Sequence, residues 1–345
     1  SSGQEQKFEF VYQEVQPGQE GTHLWEDRNE DGQIQFDEVE LPPFPEAANV
    51  RRITQFTDEF IRTDNVQLNQ LLRIEPRFIL RKQKGIENFA KRFSAQLSML
   101  ILRKSRQNST QVQPWNPLQL DLPDSSLVAV TSTFRGDLFF NQANPKYNLQ
   151  LSRLDNRTRS VLTTGFESRR NEESLFRLRW NITSKLNTTL ETGLGSQESN
   201  SEFFNSRDFR IEFWRVQPQL SWQPDTRFRG SLTYLLRNSE NVLSQEEQER
   251  SIQQDFRLDL TFNANASTSL RSSLSYVQIK FRGETNSPVG FALLQGLQKG
   301  RNFLWNLGID RRLSNSIQLS FNYEGRKTGD APMVHVGRAQ VRAVF

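Results

Sequence analysis

The chain has 345 residues with 44 Lys or Arg and 40 Asp or Glu, a formal charge of +4, and a mean hydropathy of −0.69. The absence of cysteine excludes disulfides, thiolate metal sites, a cysteine nucleophile and a lipidated N-terminal cysteine. No run approaches the ~20 apolar residues of a transmembrane helix, and because the charges are interspersed rather than blocked, no nucleic-acid partner is expected.

In chain order, "SSGQEQKFEF" carries no signal peptide, so the expectation is a mature terminus or the end of something longer. "KFEFVYQEV" reads as a strand. "DRNEDGQIQFDE" then fits the calcium-loop pattern D-x-N-x-D-G-x5-E at every position. Asp27, Asn29 and Asp31 would offer side-chain oxygens and Gln33 its carbonyl, with Glu38 binding bidentately and Gly32 permitting the turn. Gly18 and Gly21 before the loop and Pro42-Pro43 after it argue against flanking helices. The expectation is an isolated EF-hand-like loop holding Ca2+ as a structural clip. "ELPPFPEAANV" is a connector, and "RRITQFTDEFIRT" a strand or short helix. Residues 1–66 are therefore expected to form a small periplasmic β-rich segment.

From residue 67 the chain alternates. Leu72, Ile74, Phe78 and Leu80 oppose Arg73, Glu75, Arg77 and Arg81; Phe176, Leu178 and Trp180 oppose Arg177, Arg179 and Asn181. "DFRLDLTFN", "NFLWNLGID" and "SIQLSFNYEG" repeat the pattern, which is that of strands with one apolar face. The 26 Phe recur singly on these faces. A polar average concealing one apolar face suits a barrel greasy outside and wet inside. Counting back from Phe345 predicts strands at 336–345, 314–327, 301–312, 267–283, 252–264, 227–238, 207–222, 185–197, 172–183, 158–168, 146–154, 127–140, 91–105 and 68–81. Short turns such as "NITSKLN" and "WQPDTRF" alternate with longer polar loops such as "RGETNSPVGFALLQGLQKG", the rhythm of a membrane barrel. The predicted fold is all-β: a transmembrane antiparallel β-barrel of about fourteen strands over 67–345.

Two strands break phase. In "DFRIEFWRVQPQLSW" the apolar face moves from Phe209, Ile211 and Phe213 to Trp214, Val216, Leu220 and Trp222, which a bulge near Phe213 would explain. In "LSYVQIKF" it moves from Leu274 and Tyr276 to Val277, Ile279 and Phe281, where the strand would leave the lipid. Residues 106–126 are long for a periplasmic turn and are expected to fold onto or into the lumen. Arg73, Arg77, Arg177, Arg179, Arg210, Glu212, Arg257, Asp259 and Asp310 are the candidates for lumen lining. Such a mixture suits either a water-filled channel or a salt-bridged plug. Only His23 and His335 exist, and neither sits in a pattern for nucleophilic catalysis, so no enzyme is expected.

The chain ends on "GRAQVRAVF", with Val341, Ala343 and Phe345 on one face and Arg338, Gln340 and Arg342 on the other. This resembles the C-terminal signal of bacterial outer-membrane barrels, in which a final amphipathic strand closes on Phe. The resemblance implies insertion into outer-membrane lipid by the barrel-assembly machinery. "NYEGRKTGDAPMVHVGRAQVRAVF", "GTHLWEDRNEDGQIQFDEVEL" and "FFNQANPKYNLQLS" are similar to the C-terminal part of large uncharacterised outer-membrane proteins of Bacteroidota. That likeness implies a piece of a larger protein with periplasmic domains and no enzymatic activity. The expected role is a non-enzymatic anchor or a subunit of an envelope complex with protein partners. The alternatives are a porin-like channel for small solutes and a soluble secreted calcium-binding β-protein.

Overall fold

The computed structural model describes residues 2–15, 21–29, 31–35, 38–40, 48–78, 85–107, 113, 116–120, 127–162, 165–202, 207–243, 249–265, 267–313 and 317–343. The first strands are β1 (Ser2–Glu14), β2 (Leu24–Trp25), β3 (Val39–Glu40), β4 (Val50–Ile74), β5 (Phe93–Arg106) and β6 (Leu127–Phe140). Then come β7 (Tyr147–Leu162), β8 (Gly165–Asn181), β9 (Leu186–Ser201), β10 (Phe209–Trp222) and β11 (Phe228–Asn241). The last are β12 (Arg250–Asn265), β13 (Thr268–Arg282), β14 (Gly300–Arg312), β15 (Ile317–Thr328) and β16 (Val334–Ala343). Two short helices, α1 (Ile86–Ala90) and α2 (Pro288–Leu294), lie in connections. No helix among the described residues is long and apolar enough to cross a membrane.

Fourteen strands form one antiparallel sheet in the order β1-β4-β5 and onward to β16, and β2 pairs with β3 as a separate ribbon. The all-β antiparallel expectation holds. Its closure into a ring is not seen: β1 and β16 are the two edges, unpaired with each other among the described residues. The tally of fourteen also agrees for offsetting reasons. The three strands expected at 146–154, 158–168 and 172–183 are two long ones, β7 and β8, joined between Leu162 and Gly165. The missing member is β1, which pairs with β4 from Ser2↔Asp64 to Glu14↔Val50. The division after residue 66 falls inside β4, whose first half pairs with β1 and whose second half pairs with β5.

Because neighbours alternate in direction, connections alternate between two rims. One rim carries the segments 141–146, 182–185, 223–227, 266–267 and 313–316, together with 75–92, which includes α1. The opposite rim carries 15–49, 107–126, 202–208, 242–249 and 283–299. β16 runs toward the short-turn rim, and β1 starts there.

The register assigns every wall residue to one of two faces. One carries Leu151, Phe176, Leu194, Trp214, Leu232, Phe256, Leu274, Phe303 and Phe321, all exposed. Toward the long-loop rim this same face turns polar: Arg153, Asp155 and Arg157 on β7, Arg170 and Glu172 on β8, Arg210 and Glu212 on β10. The apolar band is thus shorter than the strands. β8 has 17 residues, roughly 55 Å of chain at about 3.3 Å each, whereas a tilted membrane strand needs about 9–11. The polar stretches that read as turns are strand extensions beyond the band.

Among the described residues, two apolar clusters lie on the other face, near the long-loop rim. Phe209 and Ile211 of β10 pack with Val289 and Leu293 of α2, and Val277 and Ile279 of β13 pack with Leu294. Ser287 caps α2 by accepting the Gly290 N–H at 2.9 Å, and Pro288 supplies the fixed φ of a first helical turn. This explains both phase changes without a slip. The β10 register is continuous from Phe209 to Trp222, so the bulge expected at Phe213 is absent. Toward the long-loop rim the face with the exposed aromatics becomes polar, while the opposite face is covered by α2 and becomes apolar.

Candidate functional site: the polar face of the sheet

Opposite the Phe and Trp residues, the polar face carries a continuous hydrogen-bonded network. Ser152 Oγ donates to Asp137 at 2.6 Å, and Arg135 pairs with Asp137 at 2.8 Å. Gln150 bridges Asp137 to Arg177, whose guanidinium meets Glu191 at 2.6 Å. Arg215 joins Glu191 at 3.9 Å and Glu173 at 2.8 Å. Gly193 and Gly195, opposite Arg215 and Phe213, leave the space these side chains occupy, since a Cβ at Gly195 would fall on the Phe213 ring and the Glu172 carbonyl. Arg237 stacks over Phe213 at 4.0 Å. On β12–β14, Asp255 accepts from Ser275 at 2.5 Å and pairs with Arg257 at 3.3 Å, and Arg271 pairs with Asp310 at 3.3 Å. A cavity of about 690 Å³ opens beside Asp255, Arg257, Asn306, Glu324 and Arg326.

Of the nine lumen candidates, Arg73, Arg177, Arg179, Arg257, Asp259 and Asp310 share this face by register. Arg77 lies in the 3-10 turn Pro76–Phe78 and pairs with Glu75 at 2.6 Å, off the wall. Arg210 and Glu212 lie on the opposite face, 3.5 Å apart, because Phe209 and Ile211 turn inward beneath α2. The sequence reading missed Asp137, Glu173, Glu191 and Arg215. Each stands at an alternate position of a strand, the signal that found Arg177.

The loop Asp27–Glu38 is built from turn hydrogen bonds. Asp27 accepts from the N–H groups of Asp31 and Gly32 at 3.2 and 2.8 Å, and Asp31 accepts from Gln33 N–H at 2.7 Å. Asn29 both accepts from Asp31 N–H and donates to its carboxylate. Gly32 has φ +70°, the left-handed conformation a glycine accommodates. Glu38 is buried, accepting from Trp25 Nε1 at 3.1 Å and Arg28 N–H at 3.2 Å. Among the described residues no three acidic or imidazole groups converge on one point. The loop joins β1 to β4, which places it on the long-loop rim, where His23 bridges to Val50.

Nearby, Arg52 of β4 pairs with Glu202 at 2.6 Å, and Glu202 accepts the Phe166 N–H at 2.9 Å. Buried Arg103 donates to the carbonyls of Gln113, Asn116 and Gln119. It shares a face with Leu97, so this part of 106–126 sits against the outward face, above the band, rather than in the lumen. His335 meets Tyr323 Oη at 2.8 Å beside Trp305. Val341 and Ala343 lie opposite Leu319 and Ile317 on the apolar face of β16, and Phe345 lies outside the described residues.

The fold thus defines an antiparallel meander with one lipophilic and one hydrophilic face. No family model and no curated protein matches the sequence. Among solved structures, the β domain of the Bordetella autotransporter BrkA is similar at 12% identity, over 73% of this chain and 92% of that one. The TM-score is 0.27, a superposition too loose to carry an argument.

Proposed function

We propose that the chain is a non-enzymatic outer-membrane β-barrel that serves as an anchor or envelope-complex subunit, its sheet closed by β1 against β16. One observation carries this reading: exposed and half-buried aromatics edge the apolar band at both limits. Trp180, Trp222, Phe228 and Phe262 lie toward the short turns, and Trp214, Tyr234, Phe256, Tyr276 and Phe303 lie toward the long loops. The rows are six to eight residues apart (256 to 262, 214 to 222), about 20–26 Å of strand. A strand tilt of about 40° makes that roughly 15–20 Å of height, so the rows fit inside an outer-membrane band of about 25 Å, near its two edges. In water, so much exposed Phe, Trp and Leu would drive association. The salt-bridged polar face and α2 favour a filled lumen, hence an anchor. The cavity beside Asp255 favours a second reading, a porin-like channel. The resemblance to Bacteroidota outer-membrane proteins fits either.

β1 and β16 run in opposite directions, whereas β4 and β16 run the same way, so only β1 completes an antiparallel ring. In the usual orientation short turns are periplasmic, which puts the loop Asp27–Glu38 outside the cell, opposite to the periplasmic side expected from the sequence. That loop would take Ca2+ through Asp27, Asn29, Asp31, the Gln33 carbonyl and Glu38, as a clip. If chelator and Glu38→Ala both leave its protease resistance unchanged, the clip does not exist.

The cysteine-free chain allows a direct test of the ring. Single cysteines at Gln4 or Gln6 are combined with ones at Ala339, Val341 or Ala343, which share their face and their end of the wall, and oxidised in detergent. One in-register pair should cross-link and lock the heat-modifiable, folded band on a gel. A chain that is soluble without detergent, or folded with no pair cross-linking, overturns the barrel.

A further inference from the structure

Several arginines of the polar face are paired with carboxylates. Arg135, Arg177, Arg215, Arg257 and Arg271 each have one within ion-pair distance. At the short-turn rim the pairing stops. A cavity of about 800 Å³ between the β7–β8 and β10–β11 segments of the wall is lined by Lys146, Arg179, Lys185 and Arg229, together with Asn, Gln, Ser and Thr side chains. No acidic residue lines it. Glu191 is held by Arg177, and Asp225, which accepts the N–H groups of Arg227 and Phe228 at 2.9 Å each, lies within electrostatic reach of Lys185 outside the lining. Arg229 Nε is anchored on Ser221 Oγ at 3.2 Å.

Four cations on one stretch of the rim, with no carboxylate among the residues that line the cavity, set up a local positive potential. We infer that the cavity is a binding site for a multivalent oxyanion, a phosphate- or carboxylate-bearing solute, that enters from the short-turn mouth. Two guanidinium forks match planar or tetrahedral oxyanions bidentately, and the two lysines add point charges that tolerate varied ligand shape. The surrounding amides and hydroxyls supply neutral donors. The volume suits a small solute and not a polymer. The cavity faces away from the apolar band, so a free solute is the occupant and not a membrane-embedded lipid headgroup. This inference rests on the barrel reading, since only ring closure turns the face into a mouth.

The probe is inorganic pyrophosphate, titrated calorimetrically at low salt into detergent-folded, heat-modifiable protein. Saturable binding is expected, weakened at least about tenfold in the double variant Arg179→Gln/Arg229→Gln. It should be unchanged in Arg157→Gln, whose side chain lies on the other face. Equal affinity in the double variant, or no saturable heat, overturns the site while leaving the barrel intact. A chain with no heat-modifiable band overturns both. In nanodiscs, competition by phosphatidylglycerol relative to phosphatidylcholine would overturn the assignment to a free solute.

Discussion

At Gly325 the wall has no room for a methyl group. The residue pairs with Trp305, and a Cβ there would fall inside the indole ring. The indole lies flat across the strand because glycine lets it, and His335 continues the row. Gly325→Ala should displace Trp305 and cost about 1–3 kcal/mol, read as a changed near-UV signal and a lower conversion temperature of the folded band. His23 carries a different dependence. Burial holds its imidazole below the ordinary value of 6.5, helped by Arg52 and opposed by Glu202. A released connector takes up a proton below that pH, whereas the docked one resists it. The stability it contributes is therefore full above pH 6.5 and is lost as pH falls through the lowered value. Proteolysis of the β1–β4 connector should quicken between pH 7.5 and 5, and His23→Gln should flatten that response. The calcium motif was legible as letters, but the direction Glu38 faces was not. Trp25, outside the motif, and the backbone N–H of Arg28, at a position the motif leaves open, decide it.

Elements show where alternation stops being informative. β12 and β15 were read with their faces right, because one side meets the apolar band throughout the readable run. β7 and β8 were cut into three because Arg153, Asp155, Arg170 and Glu172 resemble a turn in composition while forming ion pairs across a ladder. β10 looked bulged because periodicity records which face is apolar and not what covers it. α2 is that cover, and its seven residues left little helical signal. Leu293 is 3% exposed against Phe209 and Ile211, so Leu293→Ala should loosen α2 by about 2–3 kcal/mol. Faster proteolysis within 283–299 and faster hydrogen exchange at Ile211 and Phe213 would record it.

For the whole molecule, the decisive property is depth. Leu232 sits among Leu220 and Leu258 in the middle of the apolar band, while Asn238 on the same face lies above it. Leu232→Arg should cost about 2–4 kcal/mol in urea titrations of folding into lipid vesicles, and Asn238→Arg about 0–1. Equal penalties would mean that no membrane boundary lies between them. The fold class was readable from composition and period two. The proposed seam was not, because a pairing between the first and last strands would leave no local trace in the sequence.

The strand order has a consequence for how such a sheet is assembled. Thirteen of the pairings join strands adjacent in the chain or separated by one connector, so each can zip onto its predecessor with little search. Closing a four-residue turn costs roughly 1 kcal/mol of chain entropy; bringing β1 to β16 across some 330 residues costs roughly 5. That difference shrinks once the intervening strands are already ordered and curved. In the barrel proposed above, ring closure is therefore the natural last event, made easier by the thirteen that precede it. A chain halted before it would expose two bare strand edges, the state in which such sheets join one another instead of themselves.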